Sequence, residues 1–368
     1  MRKFKGLIIT FLVLCLFSQA NISAKAISSE CGILVEQVTG RVLFEKCADQ
    51  QKYIASITKI MTAIIAVEEG DLDGWVEISE NATLQVGSSL YLKQGDKVKL
   101  IDLIYGLMLR SGNDSAMAIA EEIGGSEEEF VKMMNEKAKE LGMTNSVFQN
   151  PSGLDETTYN LSTAADMAKV MRYAMNHPVF REVVGTKVHK TQSEGGVPYV
   201  WQNKHKLVTG YYEYAIGGKT GFTKQARRTL VTSAQKDGLE LVVVTLTAGD
   251  DWNDHMSLFN MGFDNYELKT VIPAGFLNVD PTVSDSKLFI KQDAIVAVKK
   301  DGSETVSTEL KLSQDNTTDN EVGTLIVKIN DEVMDEIPVY QQVELKDDQP
   351  RGWFQWLFGW LMGDGDTQ

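Results

Sequence analysis

Ser56 and Lys59 form an S-x-x-K pair inside the run IASITKIMTAIIAVEEG. If that run is helical, the i, i+3 spacing stacks the two side chains one turn apart on a single face. Its apolar residues would partly desolvate Lys59, and burial disfavours the ammonium form of a lysine. A lysine tuned in this way can accept the proton of a serine hydroxyl and make the serine a nucleophile. The chain needs such a base if it is a hydrolase. Its histidines, His177, His189, His205 and His255, fall in no H-E-x-x-H, and no G-x-S-x-G occurs. The common zinc-hydrolase and serine-triad patterns therefore lack support, and each histidine reads as structural or surface.

S-x-x-K alone is a weak pattern. It occurs at Ser56–Lys59, Ser233–Lys236 and Ser284–Lys287. The second runs into a hairpin turn and the third lies in a β-rich segment, so only the first opens an apolar helix. Two tripeptides add weight. Ser111-Gly112-Asn113 interrupts two helical runs and offers a hydroxyl and a carboxamide to a shared cleft. Lys219-Thr220-Gly221 opens a strand: Lys219 supplies positive charge, Thr220 a hydroxyl for a substrate carboxylate, and Gly221 room for a substrate to approach the backbone. The three motifs stand in this order, 55 and 108 residues apart.

The elements that must position them follow from periodicity. KLIDLIYGLMLR, SGNDSAMAIAEEIGG and SEEEFVKMMNEKAKELG read as helices, NPSGLD as a loop, and LSTAADMAKVMRYAMNH as a helix capped by Ser162 or Thr163. From about 185 the pattern turns to strands. RRTLVTSAQKDGLELVVVTLTAG is a hairpin about Asp237-Gly238, and LVVVTLTA suits a central buried strand. DDWNDHMSLFNMGFDNY is a further helix packing on that sheet. Beyond 272 short alternating runs broken by DGS, DNTTDNE and ND describe a small all-β module.

The two ends read differently. MRKFK, the apolar GLIITFLVLCLF and SAKA have the form of a secretory signal, cleaved after Ala26 or Ala20. The apolar run is shorter than the roughly 20 residues a bilayer span needs, and an uncleaved N-terminal anchor is the alternative. Export would leave Cys31 and Cys47 at the two ends of a hairpin around Thr39-Gly40, either bridged or as free thiols. At the other end RGWFQWLFGWLM, residues 351–362, places Trp353, Trp356, Leu357, Trp360 and Leu361 on one helical side, as an interfacial membrane helix does; docking on the protein's own surface is the alternative. The formal net charge is −15, and loss of the basic N-terminus makes it more negative. Such a surface excludes nucleic acid as a partner and does not suit an anionic membrane. Hydrophobic residues make up 43% of the 368, ample for a packed core.

Together S-x-x-K, S-x-N and K-T-G resemble the signature of penicillin-binding proteins and serine β-lactamases. ASITKIMTA, RSGNDSAMAIAE, FQNPSGLDE and GGKTGFT look like the low-molecular-mass D-alanyl-D-alanine carboxypeptidases, and so does the ground plan. The resemblance covers nearly the whole chain after the signal. GGKTGFTKQARRTLVTSAQKDGLEL is most similar to sporulation-associated members from endospore formers, which would imply a part in spore cortex formation. The resemblance implies an α/β (α+β) fold: a signal peptide at 1–26, a transpeptidase-like catalytic domain of antiparallel sheet and helices at 27–271, a small all-β domain at 272–348, and an amphipathic membrane-anchoring helix at 349–368. The protein would work at the outer face of the cytoplasmic membrane, without cofactor or metal.

It also implies roles. Ser56 attacks the carbonyl between two D-alanines of a stem peptide, Lys59 takes its proton, and Ser111 relays a proton to the leaving amine. Asn113 holds the peptide's amide, Lys219 and Thr220 bind the terminal carboxylate, and the backbone N–H groups of Ser56 and Phe222 form the oxyanion hole. Gly221 belongs to the same substrate-binding set, and β-lactams are the expected inhibitors. A β-lactamase is the nearest rival, because Glu156-Thr-Thr-Tyr-Asn160 imitates the E-x-x-x-N of the class with a deacylating glutamate. That segment directly follows NPSGLD, which matches the carboxypeptidases, and the middle motif is S-G-N where that class usually has S-D-N. A catalytically idle peptidoglycan-binding protein is the rival from another class. The presence of Ser56, Lys59, Ser111, Asn113, Lys219 and Thr220 together argues against it.

Overall fold

The computed structural model describes residues 27–279, 287–313 and 320–342. The signal expected at 1–26 and the amphipathic helix expected at 351–362 lie outside the described residues. Contacts divide the chain into two units. Among the described residues the first takes in 27–35, Val42–Lys236 and Glu240–Asp264. The second comprises Glu36–Arg41, Asp237–Leu239 and the described residues from Asn265 to 342.

The first unit is built on a five-stranded sheet. β1 (Cys31–Glu36) and β2 (Val42–Lys46) form an antiparallel hairpin. β3 (Ala215–Thr223), β4 (Arg227–Lys236) and β5 (Leu239–Ala248) complete the order β2-β1-β5-β4-β3, which leaves β3 at an edge. Asp237 and Gly238 carry φ of 51° and 85° at the turn from β4 to β5. A two-residue turn with both φ positive matches the twist of the strands it joins.

Alternation along the strands covers both faces of the sheet. Ile33, Val35, Val242, Val244 and Leu246 share one core with α1 (Lys59–Glu69). α1 is buried at every residue from Lys59 to Val67, as its all-round apolar sequence requires. Burying one Ile or Met of this helix contributes about 1.5–3 kcal/mol, which holds the lysine at its N-terminus in place against the cost of desolvation. α2 (Leu100–Arg110), α3 (Asn113–Gly124), α4 (Glu127–Glu140), α5 (Ala164–Met175) and α6 (Pro178–Gly185) belong to the same unit. On the opposite face Leu34 and Leu241 meet Gly262 of α7 (Asp251–Asn265). Thr163 caps α5, its hydroxyl accepting from the Asp166 amide at 3.0 Å.

Two local readings change. Ser56 does not sit in an α-helix: Ala55–Thr58 is a 3₁₀ turn that precedes α1. α6 was not anticipated, because its valines, β-branched and strand-favouring, mask Pro178 at the first helical position. Cys31 and Cys47 are free thiols. Cys31 is buried and donates to Gln50 Oε1 at 3.5 Å, whereas Cys47 is exposed.

Among the described residues the second unit is all β, in keeping with its short alternating runs. Its strands are β6 (Tyr266–Ile272), β7 (Gly275–Phe276), β8 (Leu288–Ile290), β9 (Ala294–Lys299), β10 (Val306–Leu312), β11 (Glu321–Ile329) and β12 (Glu332–Gln341). β6 pairs with β9, and the other five form a sheet in the order β7-β8-β12-β11-β10. Leu288, Ile290, Val296, Leu325, Val327 and Val339 make its core. Arg41 belongs to this unit, where its guanidinium spans both oxygens of Glu304 and lies over the Tyr266 ring.

Candidate active site

The site grows from the 3₁₀ turn. Ala55 holds φ at 47°, a left-handed conformation uncommon for a residue with a Cβ. Such backbone persists only where its surroundings fix it, and here they do. Thr229 of β4 donates to the Ile54 carbonyl at 3.0 Å, and Asn160 Nδ2 donates to Thr58 Oγ1 at 2.9 Å. Gly153 of NPSGLD, at φ 79°, lies under the turn: a Cβ there would stand 1.9 Å from the Ala55 carbonyl oxygen. Asn150 shapes that loop by accepting from the amides of Ser152 and Gly153, and Pro151 O accepts from Thr62 of α1 at 2.7 Å. A 3₁₀ turn eclipses residues i and i+3, so Ser56, half-buried, meets Lys59.

Lys59 is fully buried, its Nζ 3.2 Å from Ser56 Oγ, 2.8 Å from Asn113 Oδ1 and 2.5 Å from the Ser152 carbonyl oxygen. Burial holds its pKa well below the ordinary lysine value. The charges of Lys219 and Lys204 push the same way, and Asp114 opposes them. A neutral amine has two N–H bonds and one lone pair. Asn113 Oδ1 and Ser152 O accept the two N–H bonds, and the lone pair faces the Ser56 hydroxyl. This is the arrangement of a base poised on a nucleophile.

Asn113 opens α3 and ties the cleft together. Its Nδ2 donates to the Val86 carbonyl at 2.6 Å and its backbone N–H to Ser88 O at 2.7 Å. An amide nitrogen carries two hydrogens, so one stays available for a substrate carbonyl. The next residue, Asp114, is buried and accepts from Ser89 Oγ and the Leu90 amide. Both interactions pin the 86–92 loop at the mouth of the cleft.

The facing wall is the edge strand β3. Side chains alternate along it, Lys219 inward and buried, Thr220 half-exposed, and Phe222 outward and exposed. Lys219 Nζ donates to the Thr220 carbonyl at 2.7 Å. Burial, with the charge of Lys204 second, lowers its pKa to about 7. Gly221 answers to packing as well as to substrate access. A Cβ there would lie 2.3 Å from Thr229 Oγ1 and 3.0 Å from the amide nitrogen of Ser56, so any larger residue would intrude on the backbone donor beside the nucleophile.

The structure thus brings Ser56, Lys59 and Asn113 into one hydrogen-bonded cluster, with Gly221 against the same turn. Ser111 is buried in left-handed geometry at the end of α2, φ 65°, and among the described residues its hydroxyl forms no hydrogen bond with Ser56 or Lys59. Among the described residues, none of the histidines bonds to Ser56 or Lys59. His189 meets Asp102, and buried His205 and His255 share the Thr232 hydroxyl. Sequence reasoning missed Ser152, whose contribution is a backbone carbonyl, and Lys204, more exposed, with Nζ 3.4 Å from Ser88 Oγ. Neither carries a motif; NPSGLD itself was the available signal for Ser152.

Comparison with known proteins points the same way. The family model described as D-alanyl-D-alanine carboxypeptidase, peptidase S11, matches residues 18–250. The D-alanyl-D-alanine carboxypeptidase DacF of Bacillus subtilis is 31% identical over 343 residues, 88% of this chain and 87% of that one. The crystal structure of a D-alanyl-D-alanine carboxypeptidase from Mycobacterium tuberculosis superposes with a TM-score of 0.62 at 31% identity, over 65% of this chain and 92% of that one. That of DacD from Francisella tularensis gives 0.66 at 25% identity, over 93% and 97%.

Proposed function

We infer the reaction from a premise of kinship: the chain belongs to the D-alanyl-D-alanine carboxypeptidase family. It is a serine-type hydrolase that acts on peptidoglycan stem peptides and binds penicillin. The observation that carries the mechanism is Lys59, buried, with two acceptors for its N–H bonds and Ser56 in the third direction.

In the proposed cycle Ser56 gives its proton to Lys59 Nζ, and Oγ adds to the carbonyl between the last two D-alanines. The negative oxygen rests on the amides of Ser56 and Phe222, a contribution of about 3 kcal/mol per donor in comparable sites. The C–N bond breaks as the leaving amine receives a proton from Lys59 through the Ser111 hydroxyl. D-Alanine departs and leaves an ester on Ser56. Lys59, neutral again, takes a proton from water, which adds to the ester carbonyl; the ester C–O bond then breaks as Lys59 returns that proton to Ser56 Oγ, which frees Ser56 and the shortened peptide. Asn113 orients the substrate amide, and Lys219 and Thr220 hold the terminal carboxylate. Lys204 adds positive potential to the same region.

A fluorescent penicillin followed by peptide mapping tests the assignment. The adduct is expected on Ser56 of the folded protein, and a folded protein without it would overturn the scheme. Export directed by residues 1–26, and membrane contact through 351–362, complete the proposal. Removal of 351–368 should release the protein from the membrane fraction, and unchanged association would refute the anchor. The resemblance of GGKTGFTKQARRTLVTSAQKDGLEL to sporulation-associated members supports a role in sporulation, to be tested by the cortex of spores lacking this chain; an unaltered cortex would exclude it.

A further inference from the structure

His205 is fully buried and takes no part in the proposed cycle, yet its ring lies against the strand that carries Lys219. Burial pushes its pKa down to about 4, and the charge of Lys219 acts the same way, so the imidazole is neutral near pH 7. A neutral imidazole has one donor and one acceptor. Nε2 lies 3.2 Å from the Val231 carbonyl oxygen, which can only accept, so Nε2 carries the proton. Nδ1 is then the acceptor, and it faces the Val208 amide at 3.5 Å. The same Nε2 is 3.0 Å from Thr232 Oγ1. The Thr232 hydroxyl donates in turn to His255 Nδ1 at 2.8 Å, and His255 Nε2 donates to Thr245 Oγ1 of β5 at 3.0 Å. The donors run in one direction, and His205 starts the chain.

Strand register shows what the ring holds. Val231 pairs with Lys219, and Thr232 pairs with Gly218. Gly218 is a contact in its own right: a Cβ there would stand 2.6 Å from His205 Nε2 and 2.2 Å from the Val231 carbonyl oxygen. His205 therefore grips two successive rungs of the β3–β4 ladder, and one of them is the rung of Lys219. β3 has a strand neighbour on one side only, so its place depends on such supports. The residue before His205 reaches the other wall. The Lys204 amide donates to the Leu109 carbonyl of α2 at 3.1 Å, and Lys204 Nζ lies 3.4 Å from Ser88 Oγ. Asn203 Oδ1 accepts from the His205 amide at 2.9 Å and fixes the bend between these two anchors. A misplacement of about 1 Å in a group that positions substrate can cost about a hundredfold.

We propose that His205 is a positioning residue for recognition of the terminal carboxylate: its N–H bond to the Val231 carbonyl holds the Lys219 rung in register with the helical wall. The proposal rests on the reading of Lys219 and Thr220 as carboxylate receptors and adds the group that keeps them in place. Glutamine and methionine have side chains of equal length, and only glutamine keeps an N–H donor. The substrates are Nα,Nε-diacetyl-L-Lys-D-Ala-D-Ala and the same peptide ending in a carboxamide, with release of D-alanine or D-alaninamide as the readout. His205→Gln should keep KM for the carboxylate peptide within about twofold. His205→Met should raise that KM about fivefold, the worth of one hydrogen bond, with kcat within about twofold and little change for the carboxamide. Penicillin labelling of Ser56 reports whether each variant is folded. Equal KM values for the two variants overturn the proposal, and so does a loss in kcat shared by both peptides. A Gln variant with KM raised fivefold or more overturns it alone, whatever the Met variant does. If the unmodified chain handles both peptides alike, the carboxylate receptor is misassigned and the role of His205 falls with it. If Ser56 takes penicillin and neither peptide is cleaved, the carboxypeptidase reading itself fails.

Discussion

Lys59 and Lys219 are both buried, and burial pulls both pKa values down, yet the walls that hold them differ. Lys59 stands in the helical wall with acceptors from Asn113 and Ser152, distant in sequence, and with its lone pair towards the Ser56 hydroxyl. Lys219 stands in an edge strand and donates only to its neighbour's carbonyl, among the described residues. The first environment is complete without substrate and satisfies a neutral amine. The second leaves N–H bonds to be filled, which suits a group that waits for an anion. Desolvation alone therefore does not separate a base from a receptor; the number and placement of acceptors does.

Replacing each lysine by methionine puts the contrast to its hardest test. Lys59→Met should slow acylation of Ser56 by about 10²–10⁴-fold, the range of a positioned general base. The loss should be the same for peptide and penicillin, because both need the serine proton removed. Lys219→Met should act mainly through KM for peptides ending in a carboxylate, with a smaller loss for a peptide amide. Stopped-flow acylation and steady-state D-alanine release measure the two effects. Identical kcat and KM patterns for the two variants would erase the distinction between the walls.

A pH profile sharpens it with a smaller effect. Activity should rise with pH as Lys59 loses its proton, and kcat/KM for carboxylate peptides should fall again above about 7 as Lys219 loses its charge. Beyond that point the decline is about tenfold per pH unit for a single group. A bound carboxylate favours the ammonium form, so the descending limb of kcat should lie at higher pH than that of kcat/KM. A peptide amide should lack this limb. Stability carries the same signature. Between about pH 7 and the ordinary lysine value the unfolded chain binds more protons than the folded one, so stability should rise with pH across that window. Lys219→Met should flatten the rise in chemical-denaturation midpoints. An unchanged slope would mean that Lys219 titrates normally.

The sequence disclosed these walls unevenly. S-x-x-K, S-x-N and K-T-G were visible because side-chain identity carries their chemistry, and α1 was visible because it is apolar on every side. The 3₁₀ form of Ala55–Thr58 was not, since it depends on Thr229, Asn160 and Gly153, all far along the chain. Ser152 was hidden for a related reason: a carbonyl oxygen belongs to every residue, and only folding selects which one meets Lys59. The same limit applied to Gly221, whose reading as a place for substrate omitted its contact with the turn that presents Ser56. Local pattern marks the reacting groups, and long-range packing decides what they touch.

The smallest effect concerns RRTL, which follows the edge strand and holds two arginines within reach of the carboxylate question. Arg228 Nε donates to Asp251 Oδ1 at 2.9 Å, and its guanidinium lies 5.8 Å from the Trp252 ring centre. It serves the junction with α7. Arg227 is exposed at φ 60°. Arg228→Ala should leave kcat/KM for carboxylate peptides within about twofold, while stability falls by about 1–2 kcal/mol. The asymmetry follows from Asp251, buried and already pushed up by burial, which keeps the Trp252 amide as a donor but loses its charged partner and must be protonated or stay charged without it. Chemical denaturation and steady-state kinetics on the same preparation separate the outcomes. A KM raised tenfold or more, with stability intact, would move Arg228 into the carboxylate receptor and make the strand wall a two-cation site.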